Sequence, residues 1–163
     1  MRSFMFSAAA LLASATAAFA APASVSVGIA PELQKTFEKS YGAREAERLT
    51  ADLQASVEKT LARAGAHEGA RIELMLTDVK PNRPTFKQLS DKPGLSMQSF
   101  GVGGAAITGK IVAADGTERP LSYRWYETDI REASYNWVWS DAEWTFDRFA
   151  RKLAREGTVV AQR

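Results

Sequence analysis

Two stretches of the chain show the apolar spacing of a helix that packs on a core. In the first, residues 43–64, apolar residues recur at intervals of three and four: Ala46, Leu49, Leu53, Val57 and Leu61. Arg63 and Gly65 supply the cationic last turn and the left-handed stop that commonly end such a helix. The pattern predicts an amphipathic helix with one face on a core and a charged face in solvent.

The second helical stretch is predicted to begin at Ser140. Ser140 and Glu143 have the spacing of a capping box, and Trp139 and Trp144 occupy the two positions of a hydrophobic staple. The predicted core face carries apolar residues at helical spacing: Ala142, Phe146, Phe149 and Leu153. Gly157 is predicted to end this helix.

Four strands are predicted, three from alternation of apolar and polar residues and one from a stretch with a glycine-rich interruption. The first lies in 21–30, the second in 71–79, the third in 97–113 and the fourth in 121–127. A short helical piece starting at Pro31 follows the first strand. The third strand is interrupted by a glycine-rich run at 101–104, which marks a bulge, a bend or a close backbone approach. Asp115-Gly116 predicts a hairpin turn between the third and fourth strands.

The order strand, helix, strand, strand, strand, helix predicts an α+β fold. We expect a four-stranded mixed sheet with two helices packed on one face, in which the first two strands run parallel because a helix joins them. In the fourth strand Leu121, Tyr123 and Trp125 are assigned to the core, with Arg124 and Tyr126 on the opposite face. That face is expected to be partly open to water or to a partner. The predicted domain covers 21–157, and 158–163 is a C-terminal tail.

The first twenty residues have the pattern of a secretory signal peptide. Arg2 precedes an apolar run, and Ala18-Phe19-Ala20 matches the small-x-small cleavage signature. The run is shorter than the about 20 residues that a membrane span needs. We therefore predict export, cleavage after Ala20 and a periplasmic location.

Composition narrows the function classes further. The chain contains no cysteine, which excludes disulfides, zinc–thiolate sites and a lipid anchor through an N-terminal cysteine. The formal net charge is +2, and loss of Arg2 with the signal peptide leaves +1. Such a balance predicts no general attraction to nucleic acid or to anionic lipid.

Catalytic patterns are weak along the chain. His67 is the only histidine, and it lies in a predicted turn with no partner for a catalytic triad or a metal site. Glu127 and Asp129 could form the carboxylate pair of a glycosidase beside sugar-stacking aromatics, although strand ends are often acidic for structural reasons. The glycine run lacks the helix that a phosphate-binding loop requires. We predict no cofactor and no metal.

Two surfaces are candidates for contact with a partner. The first is the non-periodic, proline-containing loop at 80–96, with Arg83, Phe86 and Lys87; the competing interpretation is an ordered flap that covers a sheet edge. The second is the open sheet face with Arg124 and Tyr126. Trp137 marks an aromatic cluster that could bind a glycan or another small ligand.

Four segments carry a resemblance to known proteins: LTDVKPNRPTF, GVGGAAITGKI, ADGTERPLSYRW and WSDAEWTFDRFARKLA. The chain resembles uncharacterised exported proteins of Gram-negative bacteria. Its predicted topology is similar to the TolB amino-terminal and penicillin-binding-protein-activator type of periplasmic domain. The resemblance implies a non-enzymatic binding or docking module of the envelope with a protein partner. The alternatives are a glycan or small-ligand binder and a carboxylate-dependent hydrolase.

Overall fold

The computed structural model describes residues 23–160, and side chains are described for residues 23–156. The predicted signal peptide and its cleavage after Ala20 lie outside the described residues. None of the helices in the described range is long and apolar enough to cross a membrane.

Four strands form one mixed sheet. They are β1 (Ser24–Ile29), β2 (Arg71–Lys80), β3 (Gly104–Val112) and β4 (Glu118–Tyr126). Their order across the sheet is β1-β2-β3-β4, with β1 parallel to β2 and the other two pairs antiparallel. The predicted α+β fold with a four-stranded mixed sheet is confirmed.

Helices connect and cover these strands. They are α1 (Pro31–Thr36), continued by a π-helical turn (Phe37–Tyr41), then α2 (Ala43–Ala64), α3 (Phe86–Asp91), α4 (Ile130–Ala133) and α5 (Ser140–Val160). The two long helices, α2 and α5, pack against each other and against the sheet. Polar contacts along their seam include the Ser56 hydroxyl donating to Asp147 at 2.7 Å.

Helix α2 matches its predicted bounds, its buried stripe and its stop. All five apolar stripe residues are buried, and Gly65 adopts the left-handed conformation at φ 57°. Burying such a stripe supplies most of the stability of a surface helix, because propensity alone leaves it marginal. This helix forms the crossover between the parallel strands β1 and β2.

The two faces of the sheet differ as the alternation predicts. On the helix side, the apolar side chains of the central strands are fully buried, including Ile72, Leu76 and Ile107. On the other side a ladder of ion pairs crosses the strands: Arg71 with Glu73, and Lys110 with Glu73 and Glu118. That face is open to solvent but polar.

A β-bulge near the end of β2 changes which of its side chains face the core. The register shifts between Leu76 and Asp78, where the Thr77 hydroxyl donates to the Ala106 carbonyl at 3.0 Å. The extra residue leaves Asp78 exposed and turns Val79 into the core.

The sequence-based boundaries of β3 and α5 are wrong, and one helix was not predicted. Strand β3 begins at Gly104 rather than at residue 97, because the glycine run before it makes tertiary contacts. Helix α5 continues through Gly157 to Val160, since a glycine inside a helix costs only about 1 kcal/mol. The loop at 80–96 contains helix α3, whose capping box of Thr85 and Gln88 was overlooked among the prolines.

The predicted capping box of α5 is also wrong. The Ser140 hydroxyl accepts from the Trp137 backbone N–H at 2.9 Å, and the Glu143 carboxylate binds Arg48 of α2. Trp139 is buried, where it packs on Phe37 and Tyr41 in the π-helical turn. Its indole N–H donates to the Glu45 carboxylate of α2, so Trp139 links α2 to the start of α5.

Candidate functional site

The long connections of the chain meet at one end of the sheet, which we call the loop end. Lys80 at the end of β2, Gly104 at the start of β3 and Tyr126 at the end of β4 are neighbours across the ladder. The segments 81–103 and 127–139 therefore leave the sheet side by side. Loops held together on a rigid sheet are the usual place for binding residues.

A buried carboxylate holds these segments together. Asp141, in the first turn of α5, is fully buried. It accepts hydrogen bonds from the side-chain amides of Asn82 and Asn136 and, at 2.7 Å, from the Gly103 backbone N–H. Its own N–H donates to the Asn82 amide oxygen at 2.9 Å. These donors, together with the positive end of the helix dipole, replace the water that would otherwise solvate the Asp141 carboxylate.

The glycine run is a close backbone crossing, one of the three interpretations that its sequence allowed. A Cβ on Gly103 would lie 2.7 Å from the Lys80 carbonyl oxygen. A Cβ on Gly104 would lie 2.3 Å from the Trp125 carbonyl oxygen, where backbone blocks it. Only glycine lets the chain enter β3 beside the buried network.

Arg83 ties the same segments together from the surface. Its guanidinium donates through Nε to the Asn136 carbonyl at 2.6 Å, through Nη1 to that of Met97 at 2.7 Å, and through Nη2 to that of Ser134 at 2.7 Å. Arginine presents its donors in a rigid planar fork, which suits three fixed acceptors. The predicted contact residue Arg83 thus organises the surface and has few donors left for a partner.

Exposed apolar side chains lie on the segments that Arg83 joins. We call four of them the Arg83 patch: Met97 (42% exposed), Phe100 (48%), Tyr135 (91%) and Trp137 (76%). The Arg83 guanidinium lies 5.9 Å from the centre of the Phe100 ring, and it binds backbone carbonyls at or next to the other three residues. Exposed apolar groups that are gathered on one part of a surface mark interaction sites on soluble proteins.

A basic groove adjoins the patch. It has a volume of about 390 Å³ and runs between the π-helical turn and the loop that carries α3. Tyr41, Lys80, Arg83, Lys92 and Phe100 are among its lining residues. The groove is within the size range of ligand sites.

The other predicted residues of the loop lie on α3. Phe86 is the first residue of this helix and is 78% exposed, so it does not cover a sheet edge. Lys87 pairs with Asp91 one turn later at 2.8 Å. The capping box gives α3 a fixed start at Thr85, so this part of the loop is ordered.

Tyr126 is held by Asp78 at the margin of the loop end. Its hydroxyl donates to the Asp78 carboxylate at 2.5 Å. Burial and then this carboxylate raise the pKa of Tyr126, and burial followed by Asp78 also raises the pKa of Tyr41. Both phenols therefore stay protonated and neutral at physiological pH.

Arg124 lies near Tyr126, two residues before it in β4. It projects from the open sheet face, opposite Ala106, and forms no ion pair with the described part of the chain. The structure thus brings Arg83 and Trp137 together through the loop segments, but it places Arg124 on a second surface. Asn82, Asn136 and Asp141 were missed, because nothing local in the sequence marks partners so distant along the chain.

The candidate catalytic carboxylates serve local structure. The Glu127 carboxylate accepts from the backbone N–H groups of Thr128 and Asp129. Asp129 begins α4 and pairs with Arg131, whose hydrogen bond lowers the Asp129 pKa. A carboxylate held in its charged form is a poor general acid.

His67 is not simply solvated, as its place in a turn suggested. It is half-buried with φ 57°, and its Nε2 lies 3.0 Å from the Leu153 carbonyl oxygen of α5. Within residues 23–160, no group of three or more His, Asp or Glu side chains is arranged to hold a metal ion.

Comparisons with known proteins give little beyond this geometry. No protein-family model and no curated protein matches the chain. A solved structure of a putative lipoprotein from Caulobacter crescentus aligns with a TM-score of 0.31 and 13% identity, covering 85% of this chain and 90% of the other. A likeness this slight carries no argument about fold or function. The resemblance to TolB amino-terminal and penicillin-binding-protein-activator domains stays a prediction.

Proposed function

We propose that this protein is a non-enzymatic docking module of the bacterial cell envelope, which binds another protein in the periplasm. The Arg83 patch is the observation that carries the proposal. Two rings that are 91% and 76% exposed, Tyr135 and Trp137, belong to the short segment whose backbone carbonyls Arg83 binds. Tyrosine, tryptophan and arginine are the residues most enriched in the energetic centres of protein interfaces.

Rigidity of the loop end supports the same function. Asp141 holds the loops from inside and Arg83 holds them from outside, so the exposed rings need little further ordering when a partner binds. Binding a preformed surface avoids the entropy cost of ordering a loop. The periplasmic address rests on the signal-peptide pattern that ends at Ala20.

The open sheet face is a weaker choice of docking surface. Most of its charged side chains, Arg124 excepted, already pair with one another, and Met75, at 39% exposure, is its one large exposed apolar side chain among the described residues. A partner would have to break those ion pairs for little apolar gain. We therefore transfer the proposed contact from Arg124 to the loop end.

A capture experiment tests the proposal. The tagged mature chain, a Tyr135→Ser/Trp137→Ser variant and a Met75→Ser control are each used to capture proteins from envelope extract. All three should show the same circular dichroism, because the altered side chains are exposed. We expect the patch variant to retain at least about tenfold less of the proteins held by the other two. Equal capture by all three would contradict the proposal.

A further inference from the structure

We infer that the basic groove binds an acidic, apolar-anchored segment of the partner protein in an extended conformation. This inference rests on the proposed function and specifies its chemistry. Among the residues that line the groove, Lys80, Arg83 and Lys92 are cationic and none is a carboxylate. Asp78, two residues before Lys80 in β2, already accepts a hydrogen bond from the Tyr126 hydroxyl.

Two of these cations are available to a ligand. Lys80 and Lys92 are exposed and form no ion pair with the described part of the chain. Lys87, on the same loop, is by contrast neutralised by Asp91. Two unneutralised lysines beside an apolar groove give a charge complement for an acidic segment.

The groove is poorly suited to a small inorganic anion. Such ions are bound by several N–H groups that converge on one point. Here the backbone N–H of Asn82 donates to the Val138 carbonyl, and that of Gly101 donates to the Asn82 carbonyl. All three guanidinium nitrogens of Arg83 are bound to carbonyls as well. Only the flexible lysines remain, and they can follow carboxylates spaced along a chain.

Apolar side chains in the groove favour a peptide over a purely ionic ligand. Leu95 and Phe100 are 37% and 48% exposed, and both line the groove together with Tyr41, Pro81 and Pro84. An apolar side chain of the ligand can bury against them while its neighbours reach Lys80 and Lys92. Phe100 belongs to both surfaces, so the groove extends the Arg83 patch.

A selection experiment tests this chemistry without knowledge of the partner. A random twelve-residue peptide display library is selected on the mature chain and, in parallel, on a Lys80→Glu/Lys92→Glu variant. We expect peptides from the native chain to carry net negative charge around an aromatic or aliphatic residue. Reversal of both lysines should weaken binding of these peptides at least about tenfold, since attraction becomes repulsion at two points. A Lys59→Glu/Arg63→Glu control, on the solvent face of α2, should bind them as the native chain does.

The outcomes separate the inference from the proposed function. Enriched peptides that are neutral or basic and depend on Tyr135 and Trp137 would overturn the acidic-segment inference and leave the docking function standing. Failure to enrich any peptide would also overturn the inference, and the capture experiment would then decide the proposed function alone. Sedimentation with vesicles of phosphatidylglycerol and phosphatidylethanolamine is a further arm. Binding to vesicles that is lost on reversal of both lysines would assign the groove to lipid and overturn it as well.

Discussion

Asp141 shows how one side chain can fix a surface that it does not reach. It is fully buried and forms no ion pair with the described residues, yet it accepts hydrogen bonds from three donors on two segments, 81–103 and 127–139. Without it, the donors of Gly103 and Asn136 would lose their acceptor, and the Asn82 amide would keep only its bond to the Gly101 carbonyl. An unpaired buried donor costs about 1–3 kcal/mol. The Arg83 patch therefore depends on a residue beneath it.

Replacing this carboxylate tests that dependence. Asp141→Ala should lower the free energy of unfolding by about 3 kcal/mol or more, because three buried donors lose their acceptor. Asp147→Ala on the same helix removes an exposed carboxylate bound to the Ser56 hydroxyl and should cost only about 0.5 kcal/mol. Urea denaturation measures both variants. Similar small losses would show that the buried network contributes little.

Gly104 offers an equally local test. In Gly104→Ala the new methyl group would lie 2.3 Å from the Trp125 carbonyl oxygen and 2.6 Å from the Tyr126 Cα, so backbone has to move. We expect a loss of about 2–4 kcal/mol in thermal or urea unfolding. Gly101→Ala is the control, since nothing lies within 4 Å of its added Cβ. Equal stability of the two variants would refute the close crossing.

The raised pKa values of Tyr126 and Tyr41 predict a loss of stability at alkaline pH. The folded state holds these phenolic protons more tightly than the unfolded chain, whose tyrosines ionise near about pH 10. The stabilisation is therefore complete below that pH and is lost as the pH rises further. Urea denaturation at pH 8 and pH 11 should show a smaller decrease for Tyr126→Phe than for the native chain. Tyr135→Phe, at a 91% exposed ring, should leave the decrease unchanged.

At the scale of elements, local sequence patterns correctly predicted those helices and turns whose contacts lie within a few residues along the chain. The stripe of α2 predicted five buried residues and a stop at Gly65, and all are found. The Asp115-Gly116 turn is found too, with the Asp115 carboxylate accepting from the Thr117 N–H. These features depend on side-chain periodicity and turn geometry within a few residues, which a sequence displays directly.

The loop end could not be predicted in the same way. Asn82 and Asp141 are 59 positions apart, and Gly103 is 38 positions from Asp141. Because the start of α5 is built from these distant contacts, its capping differs from the local pattern at Ser140. Arg83 and Trp137 were recognised as surface candidates, but their proximity depends on the fold.

Replacing Arg83 should loosen the segments of the loop end that its side chain joins. Arg83→Lys removes the fork that holds three carbonyls, and hydrogen bonds from a charged donor contribute about 1.5–3 kcal/mol each. We expect amide hydrogen exchange at least about tenfold faster in 93–101 and 131–138, with β2 and β3 unchanged. Lys87→Ala, which removes only the pair with Asp91, is the control. Unchanged exchange in both segments of the Arg83 variant would mean that the loop is held without the fork.

At the scale of the whole molecule, the two exposed surfaces have different characters. The open sheet face is largely polar, and most of its charged side chains, Arg124 excepted, pair with one another. The loop end combines exposed rings with two unpaired lysines, Lys80 and Lys92, beside a groove. A groove that is lined by apolar side chains and cations, with no carboxylate, is suited to an acidic protein partner. We therefore propose that recognition uses the loop end.

Photo-crosslinking in cells tests this assignment most directly. A photoreactive amino acid is placed at Trp137 in one variant and at exposed Ser122, on the open sheet face, in another, and the cells are irradiated. The account predicts a discrete envelope-protein adduct from position 137 and none from position 122. An adduct from position 122 alone, or no adduct from position 137, would contradict it.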